Sequence, residues 1–222
     1  MAHLLDNPLW SSLTTLHRAH ARGEGDVLRY PPDVAPFVAV AAPGAPARGL
    51  PELVAPGEEV FLVGPRPAVP AGWQLAELGT IVQMVCAEPP ALIDGSPIVE
   101  LGEAHRPAVL ELAALVYPHY FRPRTPELGR YFGIFAGDRL AAMLGERMGM
   151  PGYREISAVC AHPEHAGRGL ARRLLAFASR DLAARGDTAF LHVSPGNARA
   201  IELYERNGYR KRLALAFAAL RR

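Results

Sequence analysis

The segment from Val159 to Arg172 constrains the fold most, because it leads from a strand through a short glycine-containing loop into a helix. Its sequence is VCAHPEHAGRGLAR. Glycines at 167 and 169 allow a ligand to approach the backbone closely. The first-turn amides of the following helix lack internal acceptors and lie at its positive dipole end. The segment therefore predicts an anion site, and a tight turn without a ligand is the alternative.

Two common nucleotide-binding motifs do not match this loop. It does not end in Gly-Lys-Ser or Gly-Lys-Thr, which argues against the P-loop of nucleoside triphosphatases. Arg172 stands where a dinucleotide fingerprint has its third glycine. The strand before the loop is also expected in an antiparallel meander, whereas dinucleotide folds need parallel βαβ units.

The first 95 residues are predicted to form a smaller α/β N-terminal domain. Asn7 before Pro8 favours a helix start at which Asn7 accepts from the first free amides. Short apolar runs bounded by Gly or Pro predict strands at 37–40, 60–63 and 80–86. The Pro-rich stretch that follows has turn chemistry and no periodicity, as linkers do. We therefore expect two domains, 1–95 and 96–222.

The second domain is predicted to contain a three-stranded antiparallel meander followed by alternating helices and strands. Turn residues and apolar periodicity give its elements. They are strand 98–101, helix 107–116, strands 130–136, 139–148 and 153–161, helix 170–184, strand 189–193, helix 198–207 and strand 209–220.

Composition narrows the classes of function. Half of the 222 residues are hydrophobic, so a folded globular protein is expected. A formal net charge of +2 with scattered Lys and Arg argues against a nucleic acid partner. Two unpaired cysteines fit a reducing cytoplasm. Neither a signal peptide nor a run of about 20 apolar residues is seen, so no membrane association is expected. His162 and His165 lack a third ligand, so no metal is expected.

The loop Gly167-Arg168-Gly169-Leu170-Ala171 resembles the coenzyme A motif of the GNAT acetyltransferases, which reads Arg or Gln, two residues, Gly, one residue, then Gly or Ala. The first position of the motif is Ala166 here. Further residues follow in the order typical of the family, namely Leu191-His192-Val193, Asn197, Ala200-Ile201, Tyr204 and Gly208-Tyr209. The resemblance extends from about residue 96 to residue 220. It implies an α/β (α+β) fold with a mixed, centrally antiparallel sheet flanked by helices.

Within the family, two stretches look most like the subgroup related to the C-terminal domain of glycine N-acyltransferase-like proteins. These stretches are 145–148 and 155–160. The family resemblance implies acetyl-coenzyme A as cosubstrate and direct transfer of the acetyl group to an amine. The acceptor would be the amine of a small molecule or of a peptide.

The resemblance also implies which residues bind coenzyme A. They are Val159, Cys160, Ala161, Gly167, Arg168, Gly169, Leu170, Ala171, Arg172 and Asn197. The first three would lie on a bulged strand that splays from its neighbour, leaving backbone groups for pantetheine and for the oxyanion. Asn197 would touch the pantetheine or phosphate arm and is also an ordinary helix cap. Tyr204 would act as general acid, with buried packing as its alternative role.

Glu155 and Glu146 are the candidate general bases. Each is expected on a central strand near the splay, where partial burial would raise the carboxyl pKa towards neutrality. A salt bridge to Arg147 or Arg154 is the alternative for Glu146, and an exposed strand position is the alternative for Glu155. A base is not required if water relays the proton.

Other residues and functions are weighed beside these. His192 is expected to be a satisfied core residue and Cys160 a buried small hydrophobe, although a nucleophilic pair of Cys160 with His162 stays open. Tyr117, Tyr120 and Phe121 favour an acceptor with apolar surface, or form a structural aromatic cluster. The alternative function is a non-catalytic acyl-coenzyme A sensor or interaction domain. The N-terminal domain is considered as a homodimer surface or as a lid over the acceptor site.

Overall fold

Within residues 3–117 and 119–222, which a computed structural model describes, the chain forms five α-helices and ten strands. The helices are α1 (Pro8–Thr14), α2 (Leu50–Leu53), α3 (Arg106–Val116), α4 (Leu170–Ala184) and α5 (Ala198–Glu205). The strands are β1 (Val27–Arg29), β2 (Val38–Val40), β3 (Glu59–Val63), β4 (Gln74–Cys86), β5 (Val99–Leu101), β6 (Tyr131–Ala136), β7 (Arg139–Met150), β8 (Tyr153–Ala161), β9 (Thr188–Val193) and β10 (Tyr209–Arg221). None of the helices in these ranges is long and apolar enough to cross a membrane.

Eight of the strands form one sheet, in the order β3-β10-β4-β9-β8-β7-β6-β5. Neighbouring strands are antiparallel except β8 and β9, which are parallel. Strands β1 and β2 form a separate antiparallel pair. The mixed, centrally antiparallel sheet flanked by helices confirms the expected fold class.

Helices cover the two faces of this sheet, because adjacent residues of a strand point in opposite directions. On β9, Leu191 packs in the same cluster as Leu174 of α4. The preceding residue, Phe190, packs with Leu9 of α1 on the other face. Helix α3 joins that second face through Leu112, which packs in one cluster with residues of β7 and β8.

The local sequence patterns located most elements correctly. The predicted meander is confirmed as β6, β7 and β8, and α4 has the predicted bounds. Strand β4 is longer than predicted, since it begins at Gln74 and not at Thr80. Its first residues pair with the end of β10, for example Leu75 with Leu220. This pairing stabilises residues 74–79 as a strand. Most of these residues are exposed, so the segment has no apolar run from which a strand could be predicted.

The predicted side-chain cap of α1 is wrong, although the helix begins at Pro8 as expected. The side chain of Asn7 makes no capping hydrogen bond. Its Nδ2 instead donates to the carbonyl of Val40 at 2.8 Å. The amide therefore ties the start of α1 to β2, while the carbonyl of Asn7 accepts from the amide of Ser11 at 2.9 Å.

One sheet contains strands from both sides of residue 95. Strand β10 pairs with β3 on one side and with β4 on the other. The intervening linker is held on α4 by Arg173, whose Nε donates to the carbonyl of Ile93 at 2.8 Å and whose Nη2 donates to that of Gly95 at 3.2 Å. The division into domains 1–95 and 96–222 stays a prediction, and the two parts share this sheet.

Candidate active site

A cleft of about 600 Å³ opens where β8 and β9 diverge. The parallel pairing joins only Tyr153–Glu155 to Thr188–Phe190. Beyond these residues β9 continues along β4, whereas β8 follows β7. Residues 156–160 of β8 and 192–194 of the β9 end line the gap between them. The predicted splay of β8 from its neighbour is therefore confirmed.

A bulge in β8 shapes the wall of this cleft. Met143 pairs with Cys160 and Gly145 with Ser157, so one residue of β7 faces two residues of β8. Ala158 lies in the bulge with φ +51°, a conformation that a residue with a Cβ adopts only under structural constraint. In the described part of the chain, no strand pairs with the β9-facing edge of β8 beyond Glu155. The backbone groups of this edge are therefore available to a ligand.

The glycine loop follows β8 and leads into α4. Gly167 and Gly169 adopt φ values of +78° and +75°, which favour glycine. A Cβ placed at either position would meet no atom within 4 Å, so the space above the loop is open. Arg168 and Arg172 are exposed beside it. An exposed helix start with two cationic side chains suits an anion. This helix start follows the cleft-lining residues of β8 along the chain and does not itself line the cleft.

Helix α5 brings two predicted residues to the cleft. The Oδ1 of Asn197 accepts from the amide of Ala200 at 3.1 Å, which confirms its role as a helix cap. Asn197 and Tyr204 line the cleft. Tyr204 is 8% exposed, and burial raises the pKa of its hydroxyl to about 12. The phenol therefore keeps its proton at neutral pH.

The expected raised pKa of Glu155 is wrong, because two partners bind this carboxylate. Arg147 donates to it through Nε at 2.6 Å and through Nη2 at 2.7 Å, and Nδ1 of His192 lies 2.7 Å from Oε1. Burial raises the pKa of Glu155, but the charge and hydrogen bonds of Arg147, together with His192, outweigh it and lower the pKa to about 2. Glu155 is fully buried, not exposed.

Glu146 lies on the opposite face of the sheet. Its carboxylate forms an ion pair with Arg185, which follows the end of α4. The salt bridge considered for it therefore exists, but its partner is neither Arg147 nor Arg154. The structure does not bring Glu146 and Glu155 together, since Glu146 faces α4 and is not among the residues that line the cleft.

Solved structures resemble this fold over 95% or more of the chain. A crystal structure described as an acetyltransferase of the GNAT family, from Novosphingobium aromaticivorans, is 38% identical with a TM-score of 0.89, covering 100% of this chain and 99% of that chain. This chain belongs to the GNAT family. A GCN5-related N-acetyltransferase from Kribbella flavida shares the fold at 18% identity and a TM-score of 0.65, covering 95% of this chain and 93% of that chain. A GCN5-related N-acetyltransferase-like protein from Streptococcus suis shares the fold at 14% identity and a TM-score of 0.60, covering 96% of this chain and 92% of that chain.

A family model described as FR47-like protein matches residues 131–218, which extend from β6 into β10. A search of curated proteins finds no match. These comparisons do not single out a subgroup of the GNAT family. The similarity to glycine N-acyltransferase-like proteins therefore stays a prediction.

The side chain of His192 is 2% exposed and both of its ring nitrogens have partners, as expected for a satisfied histidine, and its tautomer follows from these partners. Gln83 Nε2 donates to the carbonyl of Leu5 at 2.9 Å, and its Oε1 accepts from Arg212 at 3.0 Å. These two bonds fix the orientation of the amide. Nε2 of Gln83 therefore donates to Nε2 of His192 at 3.1 Å, and Nδ1 of His192 carries the proton that is donated to Glu155.

Cys160 is a buried small side chain, as expected. It is 7% exposed, and burial raises the pKa of its thiol to about 12. A thiol with that pKa is a poor nucleophile at neutral pH, which argues against its pairing with His162 for catalysis. The rings of His162 and His165 lie 5.9 Å apart. Within residues 3–117 and 119–222, no group of three or more His, Cys, Asp or Glu side chains is arranged to hold a metal ion.

Aromatic residues of the N-terminal part, of the loop after α3 and of β10 form one wall of the cleft. Tyr117, Tyr120, Phe37 and Phe217 line the cleft there. The rings of Phe37 and Phe217 lie 5.9 and 6.0 Å from that of Tyr120, measured between centroids. Phe121 packs instead against Tyr131 in another cluster. The cleft therefore has an aromatic wall.

Arg147 is the cleft residue that sequence reasoning missed as a functional candidate. The sequence suggested Arg147 only as a salt-bridge partner of Glu146. Between the pairs Glu146–Ile156 and Gly149–Arg154, two residues of β7 face one residue of β8, so Arg147 lies in a second bulge opposite Glu155. A pair of opposite charges on two neighbouring strands of a buried meander was the signal that could have revealed it.

Proposed function

We propose that this GNAT chain is an acetyl-coenzyme A-dependent N-acetyltransferase that moves the acetyl group directly to a primary amine. The observation that carries the proposal is the cleft between β8 and β9. It brings an unpaired strand edge together with the protonated hydroxyl of Tyr204. The glycine loop continues from the same strand. A primary amine acceptor, on a small molecule or a peptide, completes the proposal.

The residues around the loop fit coenzyme A. The open space at Gly167 and Gly169 admits a pyrophosphate against the first-turn amides of α4, and Arg168 and Arg172 add positive charge. The exposed Ala166 has only a methyl side chain and adds no hydrogen-bonding group to this site. Coenzyme A would thus be held by 167–172, by the edge of β8 at Val159–Ala161 and by Asn197. When bound, it supplies the acetyl group as an activated thioester.

Two groups of the chain stabilise the charges that develop during transfer. A backbone amide of the β8 edge donates to the oxyanion of the tetrahedral intermediate. Tyr204 donates its proton to the departing sulfur. Its high pKa ensures that the proton is present at neutral pH.

The acceptor amine loses its proton to water in this proposal. Glu155 binds Arg147 and His192, and Glu146 binds Arg185 on the other face of the sheet. Both oxygens of Glu155 are hydrogen-bonded and its pKa is lowered, and Glu146 does not line the cleft, so neither carboxylate is placed to act as the general base. A cytoplasmic location and a homodimer stay predictions.

Mass spectrometry with labelled acetyl-coenzyme A tests the function directly. The purified protein is incubated with pooled amino acids, amines and peptides, and free thiol is measured in parallel. Labelled N-acetyl products are expected. Binding of acetyl-coenzyme A without any product would contradict the proposal and favour the non-catalytic sensor.

A further inference from the structure

One charged side chain lines the cleft. Among the described lining residues, Arg147 is the only Arg, Lys, Asp or Glu. Its bulge on β7 directs it to the same side as Tyr117 and Tyr120. The guanidinium carbon lies 5.1 Å from the centroid of the Phe37 ring. Arg147 thus places a positive charge within an otherwise aromatic wall.

Glu155 uses only part of the hydrogen-bonding capacity of Arg147. A guanidinium has five N–H groups, and the Nε and Nη2 atoms of Arg147 each give one to the carboxylate. No hydrogen bond of 3.5 Å or less joins the two hydrogens of Nη1 or the second hydrogen of Nη2 to a described residue. The nearby group that interacts with this end of Arg147 is the hydroxyl of Tyr117, which an acceptor carboxylate would replace. Nη1 and Nη2 together form the end-on fork that matches a carboxylate.

Glu155 cannot present an acceptor to the cleft. Its Oε2 accepts from Nε of Arg147, and its Oε1 accepts from Nη2 of Arg147 and Nδ1 of His192. Its side chain is 1% exposed. The Arg147–Glu155 pair therefore offers donors but no acceptor to a molecule in the cleft. This arrangement selects against a second cationic group on the acceptor and favours an anionic one.

We propose that the end-on fork of Arg147 binds a carboxylate of the acceptor, so that the acceptor is an amino acid with an apolar side chain. The inference rests on the proposed function and adds the substrate class to it. Arg147 acts as a specificity-determining residue, with Glu155 holding its orientation. The aromatic wall of Phe37, Tyr120 and Phe217 takes the apolar part of the acceptor.

Matched acceptors test the inference on the full chain. The kcat/KM for acetylation of L-leucine and L-phenylalanine is compared with that for L-leucinamide and L-phenylalaninamide. Each value is calculated from the concentration of the unprotonated amine. Because a hydrogen bond to a charged group is strong, we expect kcat/KM to favour the acids about 10- to 100-fold. Equal values, or a preference for the amides, would overturn the inference while leaving the proposed function intact.

A binding comparison decides the same question without turnover. Calorimetry in the presence of coenzyme A measures the affinity for N-acetyl-L-leucine and for N-acetyl-L-leucinamide. The acid is expected to bind about tenfold or more tightly. If no amine is acetylated, the proposed function fails, and this pair still tests the carboxylate site. Equal binding, or no binding of the acid, refutes it.

Arg147→Lys separates the fork from the charge. Lysine keeps a cation beside Glu155, but its ammonium cannot offer two parallel N–H groups to a second carboxylate. The preference for acid over amide is expected to disappear, with unchanged coenzyme A affinity. Arg154→Lys is the control, because Arg154 binds Asp187 and backbone carbonyls outside the cleft. If Arg147→Lys does not fold, the double variant Arg147→Met with Glu155→Gln removes both charges of the pair. A double variant that still prefers the acids over the amides would contradict the carboxylate-binding role of Arg147.

Discussion

Replacement of Glu155 by Gln should remove a defined part of the acid sensitivity of folding. The pKa of Glu155 falls from an ordinary 4.5 to about 2 in the folded protein. That difference corresponds to ~3 kcal/mol of stabilisation at neutral pH. Because the folded pKa is lowered, the stabilisation is complete above the unfolded pKa and is lost as the pH falls towards the folded pKa. Roughly 2 kcal/mol of it should be gone by about pH 3.

Urea unfolding, followed by circular dichroism at pH values from about 6 to 3, measures this difference. The unfolding free energy of the wild type should fall by ~2 kcal/mol more than that of Glu155→Gln over this range. The variant should also be ~3–5 kcal/mol less stable at neutral pH, because Arg147 remains buried without a counter-charge.

Glu103→Gln is the control for the pH series. The side chain of Glu103 is 84% exposed, so its replacement should leave the pH dependence parallel to that of the wild type. Other carboxyls with lowered pKa, such as Glu58 beside Arg29, contribute equally in all three proteins. Parallel curves for the wild type and Glu155→Gln would refute the interpretation of Glu155 as an ionised, buried partner.

Three further predictions concern the cleft, the loop and the core. Tyr204→Phe should lower kcat by about 100-fold, measured as thiol release, and leave the coenzyme A Kd unchanged, whereas equal turnover would rule out the general acid. Gly169→Ala should lower the free energy of unfolding in urea by ~1–2 kcal/mol and also weaken coenzyme A binding. Gly186→Ala is the control, because Gly186 has a similar φ and equally open surroundings, and it should lose only stability. Equal coenzyme A affinity in both variants would contradict a phosphate role for the loop. Ser179→Ala should destabilise the fold by ~1–3 kcal/mol, because the buried Tyr209 hydroxyl loses its partner at 2.8 Å, and an unchanged unfolding midpoint would contradict this.

Features determined by neighbours in sequence were predicted well. Helix α4 follows from a four-residue apolar spacing, and the meander follows from turns at Gly137 and Gly152, which adopt φ values of +60° and +76°. The glycines of the anion loop have the conformations that their residue type indicated. In each of these cases the cause lies within a few residues of the effect.

Features determined by distant pairing were not predicted. The protonation state of Glu155 depends on Arg147 from β7 and His192 from β9, and both reach it only through strand pairing and a bulge. Burial alone would have raised the pKa of this carboxyl. The side chain of Asn7 was likewise bound by a strand carbonyl 33 residues away. Sequence patterns do not specify which buried charge meets which partner.

The position of β10 bears on how the protein is synthesised. Strand β10 lies between β3 and β4, although the ribosome makes it more than a hundred residues after them. Until residues 209–221 leave the exit tunnel, the facing edges of β3 and β4 have no partner, and such edges invite pairing with other chains. The sheet formed by β3, β4 and β10 therefore cannot be completed until the C-terminal half of the chain has been synthesised. Folding should occur late and cooperatively, with little domain-by-domain progress during translation.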